Sequence, residues 1–153
     1  MIVAGLCCLQ FALHAAVGSR PDKAEPSSIN ALARAKAHFS SHFEYAHDAV
    51  WYHTDGHYLY CLFYQGDSVN RVYYDRRGKW EYSLLTYPGY DLPQEVKKEV
   101  TDNFACYQIT SVNEIRSSMS SPVYMINIEN EDYIKVIKVI GDEVEVQQEL
   151  EKR

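Results

Sequence analysis

The chain has 153 residues, 46% hydrophobic and 24% charged, the balance of a soluble globular protein with room for one domain, or for two small repeats fused into one. A formal net charge of −6 sets it against phosphate backbones, and no polybasic run points to an anionic membrane surface, so nucleic acid and membrane are excluded as expected partners. The unusual entry in the composition is 13 tyrosines.

In chain order, the first feature is the uncharged stretch IVAGLCCLQFALHAAV at 2–17. It is too short to span a bilayer comfortably and fits the hydrophobic region of a secretory signal peptide. Ala16 and Gly18 supply small residues before Ser19, so residues 1–18 read as the signal, although no Lys or Arg follows Met1. A buried N-terminal helix or strand is the competing reading. Lipid attachment at Cys7 is another, weakened because the usual Leu three positions earlier is absent. The polar, Pro-containing SRPDKAEPSS at 19–28 reads as a linker. Export implies a periplasmic or secreted protein with no membrane span once the signal is removed. Cys61 and Cys106 then remain and could pair, or could be a small core residue and a loop residue; neither sits in a CxxC.

A helix pattern opens at 29, with Ser27 or Ser28 as cap and Leu32, Ala35, Phe39 and Phe43 on one stripe. Four strands are expected at about 49–54, 57–64, 69–75 and 79–86, separated by the turns TDG, QGD and DRRG. A second helix pattern follows. Asp91 is its expected cap, Gln94 the capping-box partner, Pro93 a first-turn residue, and Val96, Val100 and Phe104 form the stripe. Four more strands are expected at about 109–116, 122–129, 132–140 and 143–149. The pattern predicts an α+β fold: a tandem repeat of one helix and four antiparallel strands over 29–87 and 88–150, helices on one face of the sheet.

Three segments carry a family resemblance: HFEYAHDAVWYHTDGHYLYCLFY (42–64), VYYDRRGKW (72–80) and DLPQEVKKEV (91–100). They resemble the PepSY-like family of exported bacterial proteins, described as β-lactamase-inhibitor-like. The likeness covers roughly 30–149. It implies that same helix-and-four-strand repeat and no enzymatic role. VIKVIGDEVEV in the second half lacks the Asp-x-x-Gly-Lys-Trp signature of the first.

Strand parity divides the aromatics. In 57–64, Leu59, Cys61 and Phe63 suit a core, which turns Tyr58, Tyr60, Leu62 and Tyr64 to a half-wet face. In 79–86, Trp80, Tyr82 and Leu84 are expected in the core, with Tyr74 beside Val72, while Glu81 and Ser83 are expected outside. Tyr58, Tyr60, Tyr64, Tyr73 and Arg71 then form an exposed cluster, the expected contact surface for a protein or peptide partner. The same tyrosines could instead brace the sheet as cross-strand pairs. Glu143, Glu145 and Gln147 give the far end a polar face.

The enzyme classes find little support. His38 and His42 have helical HxxxH spacing, and His47, His53 and His57 follow, but there is no HExxH, no clear carboxylate or Cys ligand set, no GxSxG and no P-loop. No catalytic residue, metal ligand or cofactor is therefore assigned. The sequence predicts an exported, non-catalytic, protein-binding domain, possible inhibitor-like action included; a structural envelope domain is the alternative, and a small His-dependent metal-binding protein ranks last.

Overall fold

The structure, a computed structural model, describes residues 26–46, 48–54 and 59–153. Helix α1 (Pro26–His42) precedes strands β1 (Val50–His53), β2 (Leu59–Gln65), β3 (Ser68–Tyr74) and β4 (Trp80–Pro88). A 3-10 turn (Gly89–Asp91) leads into α2 (Gln94–Asn103), then β5 (Gln108–Ser117), β6 (Val123–Glu129), β7 (Tyr133–Ile140) and β8 (Glu143–Glu151).

These elements do not build the expected tandem of α+β repeats. Among the described residues the eight strands form one antiparallel sheet in the order β1 to β8, with only two α-helices, so this part of the chain is mostly sheet. β4 pairs with β5 from Tyr82↔Ser117 to Pro88↔Ser111, as continuously as it pairs with β3, and no boundary divides the strands into halves. The helices are also unlike, 17 residues against 10. The physical reason is that a switch from period 3.6 to period 2 reports the kind of element, not its partner. The expected signal at 1–18 lies outside the described residues, as does most of the linker at 19–28; α1 already begins at Pro26.

Both helices cover the same face of the sheet. Ala31, Ala35 and Phe39 of α1 pack with Leu59, Cys61, Phe63, Val72 and Tyr74. Leu92 and, from α2, Val96 and Val100 pack with Tyr87, Val112, Ile126, Ile128, Ile137 and Val139. The register joins the two clusters through β4: Val72 lies opposite Ser83, and four positions further along β4 Tyr87 lies opposite Val112. Each fully buried aliphatic or aromatic side chain contributes about 1.5–3 kcal/mol. Phe43 and Phe104 sit just beyond the ends of their helices, half-buried against their clusters, and Phe43 stacks on Phe39 at 5.1 Å.

Two local expectations are corrected. Asp91 does not cap α2, because the 3-10 turn absorbs it. Leu92 N–H donates to the Gly89 carbonyl at 3.4 Å, and the N-cap position falls to Pro93, which offers no side-chain cap. In β4, a register shift pairs Tyr74 with Trp80 but Tyr73 with Tyr82. This bulge accommodates one extra residue and inverts the parity beyond it. Trp80 stays on the helix side, half-buried, whereas Tyr82 is 37% exposed on the other face, with Leu84 beside it, and Ser83 is buried.

The hairpin between β3 and β4 is fixed by Asp75, whose Oδ1 accepts from the N–H groups of Arg77 and Lys79, both at 2.8 Å. Gly78 follows with φ +77°, and a Cβ there would lie 2.1 Å from the Ala31 carbonyl oxygen of α1. Only glycine meets both conditions. Cys61 is buried and Cys106 exposed; both are free thiols, and burial pushes the Cys61 thiol up to about 12.

Candidate functional site: the open sheet face

The face away from the helices is built by the even positions of β1 and β2, the odd positions of β3 and, past the bulge, the even positions of β4. Register sets them in rows. Tyr52 faces Tyr60, Tyr60 faces Tyr73, and Tyr73 faces Tyr82. The four rings stack in succession, with centroid separations of 4.9, 5.3 and 4.5 Å and interplanar angles of 14°, 25° and 17°. The strands are hydrogen-bonded at the usual spacing, so the rings have no room to lie flat and stand side by side.

The next row is apolar except at its centre: Val50, Leu62, Arg71, Leu84, Ile115 and Val123 face one another in turn. Val50 and Ile115 are 48% and 36% exposed. A third row runs from Tyr64 through Val69, Thr86, Asn113 and Met125 to Lys138 and Glu145, grading from aromatic to charged. Tyr64 is 64% exposed. Thr86 donates to the Asn113 amide oxygen at 2.8 Å, and Lys138 pairs loosely with Glu145 at 3.9 Å.

Of the residues singled out from the sequence, Tyr60, Tyr64, Arg71 and Tyr73 thus share this face, and Tyr58 lies outside the described residues. Sequence reasoning missed Tyr52, whose only signal was the parity of VWYH, and assigned Tyr82 to the core because the bulge is invisible in the pattern. Burial, reinforced by Tyr52, raises the Tyr60 hydroxyl above its ordinary value, with Arg71 opposing. Burial raises Tyr73 as well, Arg71 again opposing. Both are neutral donors at physiological pH, and Arg71 is a fixed positive charge between them and the aliphatic row. Among the described residues no carboxylate forms an ion pair with Arg71.

The fold is BLIP-like. A BLIP-like protein from Bacteroides fragilis superposes with a TM-score of 0.59 at 11% identity, over 78% of this chain and 84% of that one. A DUF2874 family protein from Bacteroides ovatus gives 0.59 at 15% identity, over 77% and 85%. A Bacteroides eggerthii protein provisionally assigned to the periplasm gives 0.56 at 16% identity, over 85% and 90%. At such identities the likeness establishes the fold. No protein-family profile matches the chain, and no curated protein matches it. The PepSY-like name therefore remains a resemblance of motifs.

On the helix side, the BLIP-like sheet carries polar groups in its middle. Glu114 is buried, accepts from the Tyr87 hydroxyl at 2.8 Å and is paired with Arg116. Asn70, also buried, has an amide nitrogen without a hydrogen-bond partner. Two clefts, of about 640 and 380 Å³, are lined by Cys106, Glu129 and Asp132 and by Glu95, Tyr124 and Asp142; neither includes a tyrosine of the ladder. On α1, His38 Nδ1 lies 3.1 Å from the Tyr74 hydroxyl, and the His38 and His42 rings stack at 4.1 Å. Burial, with His42 adding to it, lowers the His38 imidazole from its ordinary value. Among the described residues no group of three or more His, Cys, Asp or Glu could hold a metal ion, and no helix is long and apolar enough to cross a membrane.

Proposed function

We propose that the protein is an exported, non-catalytic domain that binds a protein partner through the open sheet face. The observation that carries this reading is the tyrosine ladder of Tyr52, Tyr60, Tyr73 and Tyr82 lying against an aliphatic row centred on Arg71. Contiguous exposed apolar surface rimmed by polar residues is a mark of protein interaction sites. Tyr and Arg are the side chains that most often dominate protein interfaces, since they combine rigid area with a polar handle. The BLIP-like relative supports a protein as the partner class, and the relative provisionally assigned to the periplasm supports export. Residues 1–18 act as the signal in this reading, and Tyr58 and Tyr64 extend the contact surface.

The test uses the mature protein as bait on an envelope extract, with Arg71→Glu, Tyr60→Ala and, as a control at the polar end of the sheet, Glu145→Ala. Binding through this face requires a partner captured by the parent and by Glu145→Ala but lost with Arg71→Glu. Tyr60→Ala should weaken its capture by about 1–2 kcal/mol or more. If the ladder only braces the sheet, Tyr60→Ala lowers the melting temperature and leaves capture of every partner unchanged. N-terminal sequencing tests the export element, and an intact Met1 chain recovered from the cytoplasm would refute it.

A further inference from the structure

We propose that His38 and His42 form a two-imidazole site for a late first-row divalent cation, copper(II) foremost. It lies on α1, on the opposite side of the sheet from the tyrosine ladder, and is independent of partner binding. The residues are one helical turn apart, which brings both rings to one face of the helix. The rings are stacked, with centroids 4.1 Å apart and planes within 13°. In this stacked arrangement the in-plane lone pairs run side by side, so one ion is held by both rings once each turns about its Cβ–Cγ bond to aim its nitrogen at the ion.

The hydrogen bonds behind the rings make this pair more than a coincidence of spacing. His42 Nδ1 lies 2.9 Å from the His38 carbonyl oxygen, which can only accept, so Nδ1 carries the proton and Nε2 is left with its lone pair. Ser41 reinforces that tautomer: its hydroxyl donates to the same carbonyl at 2.8 Å, which leaves its oxygen to accept from His42 Nδ1 at 2.9 Å. His38 Nδ1 lies 3.1 Å from the hydroxyl of the fully buried Tyr74, a group that either donates to or accepts from it; with a metal on Nε2, Nδ1 carries the proton and the hydroxyl accepts. Metal-ligating histidines show this pattern, with the second ring nitrogen donating to a carbonyl or another oxygen that fixes tautomer and ring orientation. Trp80, nearly parallel to the His38 ring with centroids 6.0 Å apart, adds a further constraint. Two neutral imidazoles without a carboxylate favour copper(II), nickel(II) and zinc over magnesium or calcium, and copper(II) binds most tightly of the three. Water or a small anion completes the coordination, because the described residues supply no third ligand.

The test is a copper(II) titration of the full chain carrying Cys7→Ser, Cys8→Ser and Cys106→Ser, which removes the exposed Cys106 thiol and the two thiols outside the described residues as competing ligands and reductants. Quenching of tryptophan fluorescence reports binding, since Trp80 lies against the site. Saturable one-to-one quenching is expected, with nickel(II) and zinc weaker and magnesium silent. His42 is exposed, so His42→Gln leaves the fold intact; it should weaken copper(II) by at least the about 10–100-fold that follows loss of a mere outer-shell partner. Zinc should raise the melting temperature of the parent and not of His42→Gln, because a cation bridging one helical turn stabilises it. Equal copper affinity in parent and His42→Gln, or an equal zinc effect on their melting, would overturn the proposal and assign the ion to other histidines.

Discussion

Gly78→Ala separates two effects that usually arrive together. A Cβ at Gly78 meets a left-handed backbone at φ +77° and also approaches the Ala31 carbonyl oxygen to 2.1 Å and its carbon to 2.9 Å. Gly66 and Gly141 have φ of +57° and +60° but nothing within 4 Å of the added atom. Gly66→Ala and Gly141→Ala therefore report the backbone penalty alone, about 1–2 kcal/mol each. Gly78→Ala carries that penalty plus overpacking against helix backbone, which cannot rotate aside as a side chain would, for a further ~1–3 kcal/mol. Relief requires α1 to lift from the hairpin, which would disturb Ala31 and the packing of Trp80 near His38. Urea melts of the three variants and the parent measure the differences, read at constant m-value. The reasoning fails if Gly78→Ala is no more destabilising than the two open-turn variants, because α1 would then not rest on the hairpin as described.

Phe43→Ala and Phe104→Ala should each destabilise by about 2–4 kcal/mol, somewhat under the value for fully buried rings, and losses below about 1 kcal/mol in denaturant melts would show the helix ends misplaced. Tyr87→Phe leaves one buried carboxylate oxygen of Glu114 without its 2.8 Å donor and should destabilise by about 1–3 kcal/mol, measured by the same melts. The half-buried tyrosines Tyr60 and Tyr73, the buried Tyr74 and Tyr87, and the Cys61 thiol all have raised values, so the fold favours their protonated forms. Their contribution to stability is complete below the ordinary thiol value near 9.0 and is lost progressively above it, as the unfolded chain releases protons first. Ultraviolet difference titration should accordingly show a set of tyrosines ionising only with unfolding; full ionisation of all tyrosines near pH 10 in folded protein would contradict the burial.

Much of the secondary structure was legible because each element obeys a local rule. LYCLFYQ alternates cleanly, and Leu59, Cys61 and Phe63 are indeed buried on one side. The stripe Ala35, Phe39 and Phe43 meets the sheet as its spacing requires. What failed was non-local. No feature of PGYD or of the residues around it reveals that β5 adds to the edge of β4 and extends one sheet. Tyr82 and Leu84 were misplaced by a single extra residue opposite Tyr73 and Tyr74, because parity counts positions and cannot detect a bulge. The open face was legible as an inventory, through Tyr60, Tyr64, Tyr73 and Arg71, but not as a row: Tyr52 and Tyr82 enter it only through the register of the neighbouring strands.

The strand order has a kinetic consequence. Each described strand pairs only with its neighbours in the chain, the edge strands β1 and β8 with one each, and no connection crosses over another strand. Contacts are therefore short in sequence for a protein so rich in sheet, which places folding among the faster β topologies. Most neighbours are joined by tight turns whose closure takes microseconds. The exception is β4 with β5, separated by residues 89–107, where the 3-10 turn and α2 intervene. Closing that longer gap carries the largest entropic penalty among the described connections, so zipping from either end of the chain should converge there, with the β4–β5 ladder the last to form.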